Sequence, residues 1–339
     1  MADIVVDDLA GKPAENLSSD PLVDTLDPVQ EMRVRAAWLY YVEGKNQQET
    51  ASVLGVNRLQ VTRLLAEARK RGEVNIQINS NIFDVVKSQR AIERRYNVGK
   101  VIIAPRSDPN SDATRSIALA AGRFISEYVQ SDMTIGVGWG RTLYAALPHI
   151  EGRELENVRI ISLLGGIAQA KRFNPAEFAW QFAERFNGEG YLVPAPALVD
   201  SAETKHALLE HCGINQIFDF ADAMDVAFVS AGGITKLNTS YRLGHVSEAE
   251  RKTLMEVGAV GDLLYNFIDA NGDIVDHPVN ERAISVGIER LKKADDCVLI
   301  SGGEEKIAVL LGCLKILNPS VFITDEITAR TILEAGEDE

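Results

Sequence analysis

The sequence predicts an α/β protein in which a short N-terminal helix-turn-helix domain precedes a large domain built on a mostly parallel sheet. Two observations lead to this fold class. A basic segment with helical patterning interrupts an otherwise acidic chain, and the remainder alternates continuous apolar runs with helical stretches. Runs of Val, Ile and Leu separated by helices are typical of parallel strands covered on both faces. A chain of 339 residues, 46% of them hydrophobic, is long enough for both domains.

The charge is distributed unevenly along the chain. The net charge is −14, of which residues 1–30 carry −6, residues 31–73 carry +3 and residues 74–339 carry −11. Because the molecule as a whole is acidic, a nucleic-acid contact is expected only in the basic segment. Residues 1–26 are rich in Asp, Ser, Pro and Gly, and we expect a disordered tail there. They lack the features of a signal peptide, and no run reaches membrane-spanning length, so we expect a cytoplasmic protein.

Residues 27–80 show the pattern of a helix-turn-helix domain. Asn46 and Asn57 can each cap a following helix, because their side-chain oxygens can accept the first free backbone N–H groups. Gly55 tolerates the tight turn between these helices, and Ala51 is small enough to let them cross closely. The predicted elements are helices over residues 28–44, 47–54 and 58–71 and a strand over VNIQIN, residues 74–79.

The third of these helices carries the residues expected to bind double-stranded DNA. In a helix-turn-helix, the N-terminal part of this helix faces the major groove, where Arg can bond guanine twice and Thr can reach a base edge or methyl group. Basic residues further along are expected to hold phosphates. The alternative is an ordinary helical hairpin with a solvated basic face. In this chain, however, the small residue at the helix crossing, the glycine of the turn and the positions that can be buried between the helices all lie within the basic segment, which favours DNA binding. The predicted DNA-binding residues are Asn57, Arg58, Leu59, Gln60, Thr62, Arg63, Arg69 and Lys70, with Arg71 beside them.

A single helix and then a series of strands follow the helix-turn-helix domain. Residues 81–98 include IFDVVKSQRAIERRYN and are expected to form a linker or oligomerisation helix. Residues 99–339 are expected to form the large α/β domain. Its predicted strands are VIIAP, TIGVGWG, RIISLLGG, YLVPAP, VAFVSAGG, GDLLYNFI, CVLISGG and VFITDE.

Glycine-rich loops follow four of these strands, in GVGWGRT, LLGG, SAGG and SGGEEK. Ligands bind open parallel sheets at the carboxyl ends of the strands, so several such loops on one edge favour a single site. Trp139 can pack on a sugar face, Arg141 and Lys306 can reach phosphate or hydroxyl oxygens, and Asp262 can accept hydrogen bonds from hydroxyls. The alternative makes Lys306 a surface residue and Asp262 a capping or salt-bridging group. The candidate ligand-binding residues are Gly138, Trp139, Gly140, Arg141, Thr142, Gly165, Gly166, Asp262 and Lys306.

The sequence contains none of the common signatures of enzymes or metal sites. The five histidines show no metal-binding spacing, and there is no nucleophile elbow, Walker loop, GxGxxG or HExxH motif. Cys212, Cys297 and Cys313 form no CxxC pair and are expected to be buried as small apolar residues. The sequence therefore predicts no cofactor, no metal and no enzymatic activity.

The order of these motifs resembles the SorC-type, DeoR-related family of bacterial regulators. After the helix-turn-helix come GVGWGRT, SLLGG, PAPALVDS, GAVGD and SGGEEK, and the resemblance runs from about Asp27 to Leu333. It implies a sugar-effector-binding domain over residues 99–339, similar in fold to sugar-phosphate isomerases and glucosamine-phosphate deaminases without their activity. It also implies a dimer or tetramer that binds palindromic operators near sugar-catabolism operons. The loop 138–142, Gly165, Gly166, Asp262 and Lys306 are implied to line the effector pocket.

The resemblance further implies how binding is controlled. A sugar, polyol or sugar phosphate changes operator binding, and we expect a homotetrameric repressor. Its effector-binding domain is expected to have two arrangements, one of which binds the effector more tightly. The linker helix, residues 82–97, is expected to couple this change to the paired recognition helices. Trp139 and Leu164 stand where many phosphate-binding members have further cations or hydroxyls. This departure disfavours a doubly phosphorylated effector and favours a polyol such as erythritol, or a monophosphate.

Two other function classes stay open at this point. A sugar-phosphate isomerase or deaminase-like enzyme with an appended helical domain would turn over a sugar phosphate. A protein-interaction module that uses its small helical domain on another protein would bind DNA without dependence on sequence.

Overall fold

The computed structural model describes residues 27–74, 82–106, 108, 110–167 and 174–335. The chain divides into two compact units, Met1–Asn79 and Ser80–Glu339. Among the described residues, no helix is both long enough and apolar enough to cross a membrane. The predicted tail, residues 1–26, and nearly all of the predicted strand at residues 74–79 lie outside the described residues.

The described part of the N-terminal unit, residues 27–74, contains three helices: α1 (Pro28–Ala37), which continues as a π-helical turn over Trp38–Val42, α2 (Gln47–Leu54) and α3 (Arg58–Lys70). The predicted helices over 47–54 and 58–71 are confirmed. Asn46 and Asn57 each form a reciprocal capping box at the start of α2 and α3. Gly55 ends α2 with a φ of +67°, the left-handed conformation that the turn requires. The small core consists of Ala36, Ala37, Ala51, Val61, Leu65 and Ala68.

A salt bridge joins α1 to the residues after α3. Arg33 binds the Glu73 carboxylate through both Nε and Nη2, and the side chains of Arg33 and Glu73 are only 7% and 15% exposed. Two parallel N–H···O bonds fix the geometry of such a pair as well as its distance. The bridge therefore restrains the orientation of α3 against α1.

The second unit is built on a seven-stranded parallel sheet with the order β1-β10-β9-β5-β2-β3-β4. Successive residues of one strand belong to different apolar clusters, as Ile160 and Ile161 show, so both faces of the sheet are covered. The predicted parallel sheet is confirmed. Its strands are β1 (Lys100–Ala104), β2 (Thr134–Val137), β3 (Arg159–Ser162), β4 (Glu189–Tyr191), β5 (Val226–Val229), β9 (Asp296–Ile300) and β10 (Val321–Asp325).

Helices cover both faces of this sheet. The first of them, α4 (Ile82–Tyr96), matches the predicted helix before the first strand and packs on β1 and on the last helix, α15 (Glu326–Ala335). The other helices of the unit are α5 (Ala113–Tyr128), α6 (Arg141–Ala146), α7 (Pro175–Arg185), α8 (Ala202–His211), α9 (Ile214–Phe220), α10 (Thr239–Arg242), α11 (Glu248–Glu256), α12 (Pro278–Arg282), α13 (Ile288–Leu291) and α14 (Ile307–Leu317).

A second, antiparallel sheet corrects two expectations. It consists of β6 (Ala231–Gly233), β7 (Gly261–Leu263) and β8 (Asn266–Ile268). The SAGG segment was expected to be a loop after a parallel strand, but three of its residues form β6. GDLLYNFI was expected to be one parallel strand, but it is a hairpin, because Leu264 and Tyr265 turn the chain with φ values of +52° and +61°. The expected strand YLVPAP is also wrong beyond its first residue, since β4 ends at Tyr191.

The cysteine expectation is partly wrong. Cys297 and Cys313 are buried, but Cys212, at the end of α8, is exposed. Its position directly after the last turn of a surface helix accounts for this exposure.

Candidate functional site

The first candidate surface is the outer face of α3. Arg58, Leu59, Thr62 and Arg63 are all exposed, as the sequence predicts for residues that face DNA. Leu59 is 60% exposed, so its side chain is accessible to a partner. These four residues share the N-terminal half of one helix and can enter a groove together.

Two of the predicted DNA-binding residues cap the helix in this structure. The Asn57 side chain accepts the Gln60 N–H at 2.9 Å, and Gln60 Oε1 accepts the Asn57 N–H at 3.2 Å. Their side-chain oxygens are therefore engaged, while the amide nitrogens stay available. This arrangement gives Asn57 and Gln60 a part in fixing the start of the recognition helix.

Sequence reasoning did not single out Gln47, the first residue of α2. Its Oε1 atom lies 3.3 Å from both Arg58 Nε and Thr62 Oγ1. Gln47 thus connects the two helices at the point where α3 presents its polar side chains. The signal in the sequence was a Gln directly after a capping Asn, eleven residues before an Arg.

The end of α3 carries the predicted phosphate-binding residues. Arg69 and Lys70 are exposed in its last turn. Arg71 differs from them, because it forms an ion pair with Glu67 at 2.7 Å. Arg69 and Lys70 are therefore the better candidates for a backbone contact.

The second candidate site is a small cavity, open to solvent, where the parallel sheet meets the antiparallel one. Of the residues predicted from the sequence, the structure brings Trp139, Gly140, Arg141, Asp262 and Lys306 together in its wall. The other lining residues are Ser230, Ala231, Gly232, Gly233, Thr235, Leu237, Asn238, Thr239 and Glu305.

Asp262 is the most buried polar group of this wall, with 5% of its surface exposed. It accepts hydrogen bonds from Asn238 Nδ2 and from the Tyr265 backbone N–H, each at 3.0 Å. Burial nevertheless raises the pKa of the Asp262 carboxyl, because the two hydrogen bonds and the charge of Lys306 offset the loss of solvation only in part. A carboxylate with unused acceptor capacity can bind ligand hydroxyls.

Two cations, Arg141 and Lys306, line the cavity together with this carboxylate. Burial lowers the pKa of Lys306, although the nearby Glu305 carboxylate opposes that shift. Lys306 Nζ lies 3.4 Å from Ser301 Oγ. Arg141 makes a loose ion pair with Glu305 at 3.9 Å, so its guanidinium keeps donors for a ligand. The cavity thus contains two cations and two carboxylates.

An aromatic stack forms the apolar part of the wall. Trp139 lies nearly parallel to Tyr265, with ring centroids 5.5 Å apart and an interplanar angle of 14°. Tyr265 is fully buried and its hydroxyl lies 2.6 Å from His245 Nδ1. Trp139 itself is only 7% exposed, so the stack and the surrounding core fix its ring in the wall of the cavity.

The structure does not bring the remaining four predicted residues to the cavity. Gly138 donates its N–H to Phe228 O at 2.8 Å, and Thr142 is buried inside α6. The N–H groups of Gly165 and Gly166 are bound to Ile284 O and Ala195 O at 2.9 and 2.8 Å. These three glycines therefore join neighbouring segments of backbone, and their amides are not available to a ligand in this structure.

Asn238 is the main cavity residue that the sequence analysis missed. Its side chain donates to Asp262 and to Gly233 O, and its Oδ1 caps α10 by accepting from Ser240 N at 2.7 Å. Only the antiparallel sheet brings it beside Asp262, 24 residues away. Among the described residues, no group of three or more His, Cys, Asp or Glu side chains could hold a metal ion.

Comparison with known proteins identifies the family. The Sugar-bind family, a sugar-binding domain, matches residues 80–334. The chain belongs to the SorC-type family of sugar-binding transcriptional regulators. It is 28% identical over 307 residues to the deoxyribonucleoside regulator of Bacillus subtilis (strain 168), covering 90% of this chain and 97% of the relative. It is 26% identical over 309 residues to the erythritol catabolism regulatory protein EryD of Brucella abortus (strain 2308), covering 91% and 98%.

A solved structure shows the same fold over nearly the whole chain. The full-length sorbitol operon regulator SorC from Klebsiella pneumoniae matches with a TM-score of 0.67 and 24% identity, covering 89% of this SorC-type chain and 98% of that one. The predicted combination of a helix-turn-helix with a mostly parallel α/β domain is confirmed. Because the relatives are named as transcriptional regulators, the regulator interpretation is confirmed over the isomerase or deaminase alternative.

Proposed function

We propose that this regulator controls a carbohydrate or polyol catabolic operon, and that a small polyhydroxylated effector controls its binding to double-stranded operator DNA. The observation that carries the proposal is the cavity wall, which combines the Trp139 ring with Asp262, Arg141 and Lys306. Sugars and polyols present alternating C–H and O–H groups, and they need both an apolar surface and polar partners of this kind. The cavity lies within the region that matches the sugar-binding family.

The charge balance of the cavity favours a neutral effector. Arg141 and Lys306 are matched by Glu305 and Asp262, so the site offers no excess positive charge to a dianion. A polyol or sugar with a few adjacent hydroxyls satisfies both signs. A monophosphate can displace Glu305 from Arg141, whereas two phosphates would bring more charge than the two cations compensate.

The DNA-binding half of the proposal assigns α3 to the major groove. Arg58, Thr62 and Arg63 contact base edges, with Leu59 against thymine methyl groups, while Gln47 orients the first two side chains. Arg69 and Lys70 hold phosphates, and Asn57 and Gln60 fix the start of the helix.

The proposal includes a cytoplasmic dimer or tetramer acting as a repressor. Two copies of α3 related by twofold symmetry would read a palindromic operator. An effector that binds the arrangement of low operator affinity ~100-fold more tightly than the other arrangement supplies ~2.7 kcal/mol. This free energy releases the operator only if the two arrangements of the DNA complex are already close in free energy.

Fluorescence anisotropy with labelled DNA from the upstream region of the gene tests this function. The protein is titrated at fixed salt, alone and with erythritol, sorbitol, 2-deoxyribose and the monophosphates of these compounds. We expect tight binding to this DNA, weak binding to a scrambled duplex, and release by one compound of the panel. Asp262→Asn should then need about 10- to 100-fold more of that compound, because a hydrogen bond to a charged group contributes about 1.5–3 kcal/mol.

Controls separate the two sites. Asp273→Asn changes an exposed carboxylate outside the cavity and should leave both titrations unchanged. Binding to specific and scrambled DNA with equal affinity would contradict the operator assignment. An equal response of wild type and Asp262→Asn to the active compound would contradict the cavity assignment.

A further inference from the structure

A buried threonine connects the loop that carries Lys306 to the last helix of the fold. The Gly303 N–H donates to Thr328 Oγ1 at 2.9 Å, and the Thr328 hydroxyl donates in turn to the Asp325 carboxylate. Thr328 is 1% exposed and Asp325 is fully buried. One hydroxyl therefore accepts from the cavity loop and donates to the start of α15, and water has no access to replace either bond.

The Asp325 carboxylate also holds the neighbouring strand ends. Its Oδ1 accepts from the backbone N–H groups of Ile327 and Thr328 and from Arg106 Nη1 at 3.1 Å. Arg106 follows β1, whose last residue, Ala104, pairs with Asp325 in the sheet. The ends of β1 and β10 and the first turn of α15 thus form one hydrogen-bonded unit.

The far end of α15 contacts the linker helix α4. Tyr96 Oη donates to Ile332 O, and Arg95 Nη1 donates to Leu333 O, each at 3.2 Å. The side chains of Ile92 and Ile332 are fully buried in the same apolar cluster. A cation bound to the carbonyls at a helix C-terminus is also favoured by the helix dipole. Among the described residues, α4 is the first helix after α3 along the chain.

We propose that Thr328 is a positioning residue that transmits changes in the 303–306 loop through α15 to the linker helix α4. The inference rests on the proposed function, because an effector that binds Lys306 acts on this loop. A helix of ten residues moves as a rigid rod of about 15 Å, so a displacement of its first turn reaches its last. Loss of the Thr328 hydroxyl removes the link and leaves the cavity residues in place.

Hydrogen–deuterium exchange of the full chain tests this transmission without any effector or DNA. Gly303→Ala serves as the perturbation, since Gly303 has a φ of +115°, which alanine rarely adopts. We expect it to change exchange in residues 301–306 and also in residues 82–96, by ~3-fold or more. In a Thr328→Val background, where the shape is kept and the hydroxyl lost, the effect of Gly303→Ala on residues 82–96 should vanish. In Thr328→Ser, which keeps the hydroxyl, it should persist.

Gly140→Ala is the matched control, because Gly140 also has a positive φ, +133°, and lines the same cavity away from Thr328. It should change exchange around residues 138–146 and leave residues 82–96 unchanged. If Thr328→Val does not fold, Tyr96→Phe removes one of the two hydrogen bonds at the other end of the connection and should reduce the response of residues 82–96 while residues 326–335 still respond.

Two results would overturn the proposal. One is a change confined to residues 301–306 in Gly303→Ala. The other is a response of residues 82–96 that is equal with and without the Thr328 hydroxyl. Because the measurement uses no operator or effector, failure of operator binding would count against the proposed function alone.

Discussion

Replacing Asp262 by asparagine should change how the stability of the effector-binding unit depends on pH. Burial raises the pKa of this carboxyl, so the folded protein binds the proton more tightly than the unfolded chain does. The stabilisation from the protonated form is fully present below the unfolded pKa, about 3.9, and is lost as the pH rises through the folded pKa. At neutral pH the ionised Asp262 therefore opposes folding.

The size of the effect follows from this linkage. Between the unfolded and folded pKa values, each pH unit lowers the wild-type free energy of unfolding by at most about 1.4 kcal/mol. Asp262→Asn has no proton to lose at this position, so its stability relative to wild type should rise over the same interval. The substitution also lowers the free energy of unfolding by about 1 kcal/mol at every pH. The new amide oxygen at position 262 can accept from Asn238 or from the Tyr265 N–H, and the amide NH2 group then faces whichever donor is left.

Urea unfolding between pH 4 and pH 8 measures this difference. In a Trp38→Phe background, fluorescence from Trp139 and Trp180 reports on the second unit alone. Asp273→Asn, at an exposed position, serves as the control and should run parallel to wild type. Parallel curves for Asp262→Asn and wild type would refute the reasoning, since they would mean that burial of Asp262 has no net electrostatic cost.

Three predictions concern the N-terminal unit. Arg58→Ala should weaken operator binding by about 1–3 kcal/mol and relax base preference, whereas Lys70→Ala should weaken binding to operator and scrambled DNA alike and reduce the salt slope by about one. Equal losses from both variants on both duplexes, measured by anisotropy, would contradict these roles. Gln47→Ala should reduce base preference less than Arg58→Ala, because it removes only the acceptor shared by Arg58 and Thr62; an unchanged preference would contradict this. Asn57→Ala should destabilise the N-terminal unit by about 1 kcal/mol in thermal unfolding followed by circular dichroism, and Asn57→Asp should restore the stability, because either oxygen can cap α3.

The sequence predicted those elements whose signals are local. The caps Asn46 and Asn57 and the turn at Gly55 mark the helix ends directly, and the apolar runs of β5, β9 and β10 match strands covered on both faces. Such signals need no knowledge of distant residues, since side-chain caps and strand patterning act within a few positions.

The antiparallel hairpin could not be predicted in this way. Two-residue turns of this kind favour Asn-Gly, whereas Leu264 and Tyr265 offer no turn signal. Both are buried, and the conformation is held by the bond from the Tyr265 N–H to Asp262 and by the stack on Trp139. Tertiary contacts therefore override the local preference.

The candidate cavity was predictable only in part for the same reason. Trp139, Arg141 and Lys306 lie in loops at strand ends, where the fold class already directs attention. Gly165 lies in a similar loop, but close approach of another backbone explains it, since a Cβ at this position would lie 2.5 Å from Pro196 O. A glycine-rich loop alone does not distinguish close packing from ligand binding.

The Leu264–Tyr265 turn also bears on attempts to make this protein more robust. Asn-Gly at these positions would relieve two residues of an unfavourable backbone conformation, which costs about 1–2 kcal/mol per residue. It would also remove two buried side chains, and large-to-small substitutions in a core cost about 2–5 kcal/mol each. The ring on which Trp139 rests would be lost as well, which would leave one wall of the cavity free to collapse. A redesign that follows turn preferences alone should therefore lower the melting temperature and weaken the effector response together.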